Sequence, residues 1–144
     1  YTKWLSLLLD QNLPALTIHL RTRKEMSKVD AHFELIPKIV QLRNQLSPNT
    51  KLIINGDIKD KTQALILHKE YPEVNGFMIG RGVFSNPFCF TEKAPERQEL
   101  IGLLNYHLDL FDDAVKTYGE RPFEPLKRFF KIYINHFLFL TFFI

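Results

Sequence analysis

The sequence predicts an α/β protein built on parallel strands, and two observations favour this fold class. Two short apolar runs, which contain Ile53 and Ile54 and then Met78 and Ile79, lack polar alternation, which is typical of strands that are buried on both faces. Each run ends in a glycine-bearing turn, at residues 55–57 (NGD) and 80–82 (GRG). Because a helical stretch separates the two runs, we expect a parallel β-α-β unit whose turns meet at one edge of the sheet.

The chain before this unit is predicted to add a helix, a strand and a second helix. An apolar helical face ends near Asn12, and residues 15–19 (ALTIH) form the first strand. Asp30 is the expected N-cap of the next helix, which continues to residue 46. Pro37 lies inside that helical pattern, and we expect a kink or a restart there because proline lacks an amide donor.

The helix of the β-α-β unit has its own start signal. Asp60 followed by Gln63 resembles a capping box that opens a helix through about residue 71. The chain up to residue 80 is therefore predicted to alternate helix and strand three times.

After residue 82 the pattern becomes helical. Residues 83–90 fit one short helix, and residues 91–97 (TEKAPER) form a polar linker. An amphipathic helix follows, and Pro125 fits the first turn of another helix that ends near Asn135. We expect residues 98–137 to form a small all-α helical domain, and the apolar run 138–144 (LFLTFFI) to be an atypical tail.

Composition restricts the class of protein. The 144 residues carry a formal net charge of +3, which permits an anionic partner without requiring one. The single cysteine, Cys89, excludes an internal disulfide and fits a reducing compartment. The apolar tail is far shorter than the roughly 20 residues that span a bilayer, so we expect no membrane segment. The chain begins without Met and inside a helical pattern, as expected for a piece of a longer protein.

Three parallel strands leave bare sheet edges, and a closed eight-stranded barrel of about 250 residues removes them. In such barrels the loops after the last two strands, with a short extra helix, form a phosphate site. We therefore expect residues 1–90 to be the C-terminal part of a (β/α)8 TIM barrel, followed by the helical domain. Glycine turns let backbone amides approach an anion, and arginine offers a fork of donors to phosphate oxygens.

Four motifs, in this order, resemble the tRNA-dihydrouridine synthases across about residues 1–137. They are residues 19–23 (HLRTR), 54–58 (INGDI), 78–82 (MIGRG) followed by Asn86 and Pro87, and 127–131 (KRFFK). The resemblance implies a cytoplasmic flavoenzyme with FMN in its barrel, which NADPH reduces and which reduces the C5–C6 double bond of a uracil in tRNA. It also implies that the helical domain helps to hold the tRNA.

The resemblance assigns roles to individual residues. His19 is expected near the flavin ring or its ribityl chain. Contacts with the ribityl-phosphate region are implied for Asn55, Gly56 and Asp57, and the phosphate itself is expected on Gly80 and Arg81. Contact with tRNA is implied for a basic set comprising Arg21, Arg23, Lys127, Arg128 and Lys131, although a solvated loop accounts equally well for the first two. No metal site is expected.

The resemblance also indicates what this chain lacks. The family's acid is a cysteine on a loop of the first half of the barrel, so no catalytic residue is assigned here. Cys89 lies between two phenylalanines and is expected to pack as a small hydrophobe. We expect the 144-residue chain to bind FMN weakly or not at all and not to turn over. Two alternatives are another FMN- or phosphate-binding barrel enzyme acting on a small molecule, and a non-catalytic RNA-binding remnant.

Overall fold

A computed structural model describes residues 1–134 and shows a mixed α/β arrangement. Three parallel strands pair side by side in chain order: β1 (Ala15–His19), β2 (Lys51–Asn55) and β3 (Gly76–Met78). The α-helices of this range are α1 (Thr2–Leu9), α2 (Ile36–Leu46), α3 (Lys61–Glu70), α4 (Gly82–Ser85), α5 (Arg97–Tyr118), α6 (Glu124–Lys127) and α7 (Lys131–Ile134). The chain divides into two compact units, Tyr1–Gly82 and Val83 onward. The predicted alternation of helix and strand up to residue 80 is confirmed.

The core of the first unit lies on one face of its sheet. Leu52 and Ile54 of β2 are both 0% exposed and pack in one cluster with apolar residues of α1, α2 and α3. On the opposite face of the sheet, Ile53 is only partly buried and Met78 is 45% exposed. The prediction that these strands are buried on both faces is therefore wrong for the described residues. Among residues 1–134, helices of this unit supply a packing layer to one face, and the apolar runs alone did not reveal which one.

The helix α3 begins where the capping pattern predicts. The carboxylate of Asp60 accepts a hydrogen bond from the backbone N–H of Gln63 at 2.8 Å. The side chain of Gln63 in turn accepts from the backbone N–H of Lys59 at 2.8 Å, one residue before the expected partner. These bonds satisfy amide donors that the first helical turn leaves without intrahelical partners.

The start of α2 differs from the sequence-based expectation. A 3-10 turn at Phe33–Leu35 precedes the helix, and Pro37 lies in the first turn of α2, so the predicted restart is confirmed. Asp30 as N-cap is wrong, because the residue that precedes the 3-10 turn is His32. The backbone N–H of Ala31 is bonded to Asp57 and that of His32 to the carbonyl of Leu20. These two tertiary bonds hold the chain out of the helix past residue 30.

A buried arginine joins α2 to the starts of β2 and β3. The Arg43 side chain donates to the carbonyl of Thr50 at 3.0 Å, the carbonyl of Glu73 at 3.0 Å and the amide oxygen of Asn75 at 3.1 Å. Its Nε also donates to the side chain of Asn44 at 2.8 Å. Arg43 is 7% exposed, so these bonds replace nearly all of its water contacts.

In the second unit, α5 is the long amphipathic helix that the sequence predicts. A reciprocal capping box between Glu96 and Glu99 begins it, and Gly119, with φ of 87°, ends it. The helix expected over residues 83–90 is shorter, since α4 ends at Ser85 and the side chain of Asn86 accepts from the backbone N–H of Phe88. That bond favours a turn at the proline between them.

The last predicted helix is divided into α6 and α7. Residues 128–130 form a turn in which amides bond to carbonyls three residues back, as in Phe129 to Leu126 and Phe130 to Lys127. These tighter bonds interrupt the α-helical ladder, so one continuous helix from Pro125 is wrong. The expected end near Asn135 and the tail 138–144 lie outside the described residues.

Candidate phosphate-binding site

The carboxyl ends of the three strands meet at one edge of the sheet, and polar residues collect there. His19, Asn55 and Met78 are register partners on β1, β2 and β3. The side-chain amide of Asn55 donates to the carbonyl of Met78 at 2.9 Å, which links the ends of β2 and β3. The first glycine turn begins at Asn55 and the second begins two residues after Met78, so the structure brings 55–57 and 80–82 to the same edge.

Two of the three turn glycines are required by close packing. Gly56 has φ of +130°, and a Cβ there would lie 2.9 Å from the Cβ of Ala31. A Cβ on Gly82 would overlap the backbone oxygen of Lys59. Gly80 differs, because the nearest atom to its hypothetical Cβ is the side-chain nitrogen of Asn55 at 3.9 Å. The backbone at Gly80 is therefore open to a ligand, whereas the other two glycines fix how the turns pack.

Asp57 connects the first turn to the segment that follows β1. It adopts a left-handed conformation with φ of 49°, which aspartate tolerates in turns. Its carboxylate accepts from the guanidinium of Arg21 and from the backbone N–H of Ala31, the latter at 2.9 Å. The hydrogen bond from Arg21 is the main reason that the pKa of Asp57 lies below its ordinary value, and it also raises the pKa of Arg21. The Arg21 side chain is 5% exposed, and its Nε donates to the carbonyl of Val29 at 2.7 Å, so the guanidinium is held beside this carboxylate.

Arg81 extends from the second turn toward the same carboxylate. One terminal nitrogen lies 3.4 Å from the second oxygen of Asp57, and the other donates to the hydroxyl of Ser27 at 2.8 Å. The Arg81 side chain is 66% exposed. Within residues 1–134, no acceptor takes the backbone N–H of Gly80 or Arg81. One carboxylate between two guanidinium groups leaves a net positive charge beside open amides, an arrangement that can receive an anion.

The segment between β1 and α2 carries a further ion-pair cluster. His32 contacts Glu34 through Nδ1 at 2.8 Å and Glu25 through Nε2 at 3.2 Å. Glu25 also accepts from the backbone N–H of Thr22 at 2.6 Å. The bonds to Glu34 and then Glu25 raise the pKa of His32, which stabilises its imidazolium form. This cluster holds the segment that carries Ser27 and Ala31 to the site.

The basic residues with an expected tRNA role occupy different environments. Arg23 is exposed on the segment after β1, whereas Arg21 is turned toward Asp57. In the second unit, Lys127, Arg128 and Lys131 are all exposed on α6, α7 and the turn between them. Lys127 forms an ion pair with the neighbouring Glu124, and its ammonium lies 5.9 Å from the ring centre of Phe123.

The second unit combines these charges with aromatic side chains. The rings of Phe111 and Phe123 lie 5.5 Å apart, and those of Phe123 and Phe130 lie 5.9 Å apart, both edge to face. His107 Nδ1 lies 3.0 Å from the hydroxyl of Tyr133. The unit is therefore ordered around aromatic contacts, with its basic groups on the outside.

Three further observations concern groups outside this edge. Cys89 is 0% exposed, as the sequence predicts for a packing residue. No group of three or more potential metal ligands occurs among residues 1–134. None of the helices in that range has both the length and the apolar character to cross a membrane.

Sequence reasoning did not find two partners in this site. Ser27 is separated from Arg81 by 54 positions, and Ala31 contributes only its backbone N–H to Asp57. Neither residue type is distinctive in a loop, so no pattern in the sequence indicates these contacts. The His32 cluster was also missed, although Glu25 and Glu34 are close to it in the chain.

A comparison with known protein families identifies the family of this chain. The family model described as dihydrouridine synthase (Dus) matches residues 4–112, which is most of the chain. The chain belongs to the dihydrouridine synthase family. The matched region includes the three strands of the described residues and both glycine turns, so the polar sheet edge lies within the dihydrouridine synthase domain.

Individual relatives of the chain agree with that assignment to the family. "Probable tRNA-dihydrouridine synthase 2" of Bacillus subtilis strain 168 is 52% identical over 139 residues, which cover 95% of this chain and 42% of the relative. "Probable tRNA-dihydrouridine synthase" of Staphylococcus epidermidis is 52% identical over 134 residues, covering 92% and 40%. The Staphylococcus aureus protein of the same name is 51% identical over 134 residues. The chain thus spans about two-fifths of the length of these curated relatives.

Proposed function

We propose that this chain supplies the FMN phosphate site and part of the tRNA-binding surface of a tRNA-dihydrouridine synthase. In this proposal the strands β1 to β3 belong to a (β/α)8 barrel, and NADPH reduces the bound flavin. The observation that supports it best is the meeting of two glycine turns and Arg81 at one sheet edge, in a chain whose relatives are named for this activity. A tRNA substrate and a single cysteine also fit a reducing, cytoplasmic location.

The residues at the edge fit a phosphate monoester. Gly80 and Arg81 present amide N–H groups, and Arg81 adds a guanidinium that is 66% exposed. A side chain at Gly80 would occupy the open space beside Asn55. Charge-assisted bonds from arginine and backbone amides are the donors that phosphate groups use in proteins.

The remaining edge residues are proposed to hold the rest of the cofactor. Asn55 has its side-chain amide on Met78, which leaves its side-chain oxygen to accept from a ribityl hydroxyl. His19 is exposed beside Gly56, where its ring can orient the ribityl chain or the flavin ring. When bound, FMN would supply the hydride that reduces the uracil double bond.

The chain's own cysteine does not provide the proton for that reaction. Cys89 is fully buried, so its thiol cannot reach a substrate base. We therefore propose that the acid comes from residues beyond these 144, and that this chain alone retains FMN poorly and does not turn over. Its contribution is to bind and orient the cofactor.

The exposed basic residues are proposed to contact the tRNA backbone. Arg23 in the first unit, and Lys127, Arg128 and Lys131 in the second, can each neutralise a phosphate, and such contacts weaken steeply with added salt. Arg21 has its guanidinium on Asp57 and is proposed to hold the loop that carries Arg23.

The experiment compares the 144-residue chain with a chimaera in which the part of the Bacillus subtilis relative that precedes the matched region is joined ahead of Tyr1. Both are purified, their flavin content is measured, and both are given NADPH and unmodified tRNA. We expect the chimaera to bind FMN and form dihydrouridine, and the shorter chain to do neither at stoichiometric level. Arg81→Ala in the chimaera should weaken FMN binding by about 2 kcal/mol, the value of one charge-assisted contact. Lys38→Ala, an exposed change on α2, is the matched control.

Other outcomes identify the alternatives. A chimaera that binds FMN but converts no tRNA uridine would favour a small-molecule substrate. Salt-dependent tRNA binding without flavin in either protein would favour an RNA-binding remnant. Stoichiometric yellow flavin on the 144-residue chain would refute the proposal that it is an incomplete site.

A further inference from the structure

The carboxylate of Asp57 lies among groups that would surround a bound phosphate, although a carboxylate repels that anion. It accepts from Arg21 and from the Ala31 backbone with one oxygen, and its second oxygen lies 3.4 Å from Arg81. We propose that Asp57 is a positioning residue for the phosphate site, which fixes Arg81 and the segment after β1 in one arrangement. This inference rests on the proposed function, because it assumes that Arg81 receives the phosphate.

The geometry gives Asp57 two functions at once. Arg21 and the backbone N–H of Ala31 hold the Asp57 carboxylate in place, and these bonds join the segment after β1 to the turn after β2. The free side of the carboxylate then limits where the guanidinium of Arg81 can lie. Without this contact, a side chain that is 66% exposed would sample several rotamers and lose entropy on binding.

Ser27 holds the other end of the same guanidinium. Its hydroxyl accepts from one terminal nitrogen of Arg81 at 2.8 Å, while Asp57 faces the other terminal nitrogen. The side chain of Arg81 is therefore held at two points, on the turn after β2 and on the segment after β1. Ser27 is exposed, so removal of its hydroxyl is expected to disturb the fold little.

The charge of Asp57 makes the inference testable by the sign of an effect. If the carboxylate only adds negative potential, removing its charge strengthens phosphate binding. If it positions Arg81, removing its charge weakens phosphate binding although the site becomes more positive. The two possibilities predict opposite changes for the same substitution, Asp57→Asn.

The test titrates inorganic phosphate and FMN into the 144-residue chain and into the chimaera described above. NMR of the Gly80 amide and the Arg81 Nε–H registers millimolar affinities, and flavin fluorescence registers tight ones. Asp57→Asn should weaken FMN and phosphate binding about fivefold, and Ser27→Ala about threefold, each less than the tenfold or greater loss from Arg81→Ala. Asp109→Asn removes the same charge from an exposed position on α5 and should change neither affinity.

The double variant Asp57→Asn with Arg81→Ala separates positioning from general damage to the fold. If Asp57 acts through Arg81, adding Asp57→Asn to Arg81→Ala causes no further weakening. Equal weakening in both backgrounds would mean that Asp57 acts through the fold, and would overturn the inference. Tighter or unchanged binding in Asp57→Asn alone would also overturn it, and so would an unchanged affinity in Ser27→Ala.

The same data distinguish this inference from the proposed function. If neither ligand shifts the Gly80 and Arg81 signals in either protein, the phosphate site itself is refuted and the inference falls with it. If Arg81→Ala abolishes binding while Asp57→Asn leaves it intact, only the positioning role falls.

Discussion

Replacement of Arg43 by methionine should destabilise the first unit more than any removal of a surface charge. Methionine fills the space of the aliphatic stem but donates no hydrogen bond, so the carbonyls of Thr50 and Glu73 lose this donor. The side-chain oxygen of Asn75 loses one of two donors and keeps its bond from the backbone N–H of Leu52. Thr50 is 1% exposed, and leaving its buried carbonyl unpaired costs about 2 kcal/mol. The other two acceptors belong to exposed residues and can rehydrate, which adds roughly 1 kcal/mol for the pair.

The expected loss of about 3 kcal/mol is measurable by urea denaturation of the 144-residue chain, followed by circular dichroism. Lys38→Met is the matched control, because Lys38 is exposed on the same helix and its replacement removes the same charge. The control should change the unfolding free energy by less than about 0.5 kcal/mol. If Arg43→Met also costs less than about 1 kcal/mol with an unchanged denaturant slope, the buried hydrogen bonds do not stabilise the fold as argued.

Two further changes test other parts of the first unit. The pKa of His32 is raised from its ordinary value of 6.5, and the pKa values of its partners Glu34 and Glu25 are lowered from 4.5. The ion pairs therefore stabilise the fold at pH values above 4.5, and this stabilisation is lost as the pH rises through the folded-state pKa of His32, which lies above 6.5. His32→Gln should remove that pH dependence, measured as midpoints of thermal unfolding at pH 5.5 and pH 8.5; an identical shift in both proteins would contradict it. Asp60→Ala removes the N-cap of α3 and should cost about 1 kcal/mol, whereas Asp60→Asn, which keeps the acceptor, should cost clearly less.

Local signals in the sequence were enough to predict most of the elements. The capping pair at Asp60 and the proline at position 37 each act through neighbouring backbone groups, so their effect is readable from a few residues. Asp30 failed as a cap because the decisive bonds, from Ala31 to Asp57 and from His32 to Leu20, are tertiary. A sequence pattern cannot weigh a local cap against a partner 26 positions away.

The candidate site shows the same division. The glycine turns were recognisable because each follows an apolar run, and parallel strands bring such ends to one edge. The bond between Arg21 and Asp57 was not recognisable, because it joins residues 36 positions apart. In addition, an arginine in a basic loop is ordinarily expected to be exposed to solvent. The burial of Arg43 was missed for a similar reason, because a charged residue on an amphipathic helix usually lies on the solvent-exposed face.

The packing of Gly82 has a consequence for any attempt to redesign the anion site. Because no side chain fits between Gly82 and the backbone of Lys59, the turn after β3 and the chain leading into α3 are in direct backbone contact. The spacing of the amide donors at the edge is then set by the main chain. Substitutions within the turns would disrupt that spacing rather than adjust which anion it fits. A designer who wants a different anion should leave both turns alone and alter Ser27, whose side chain reaches the site from outside them.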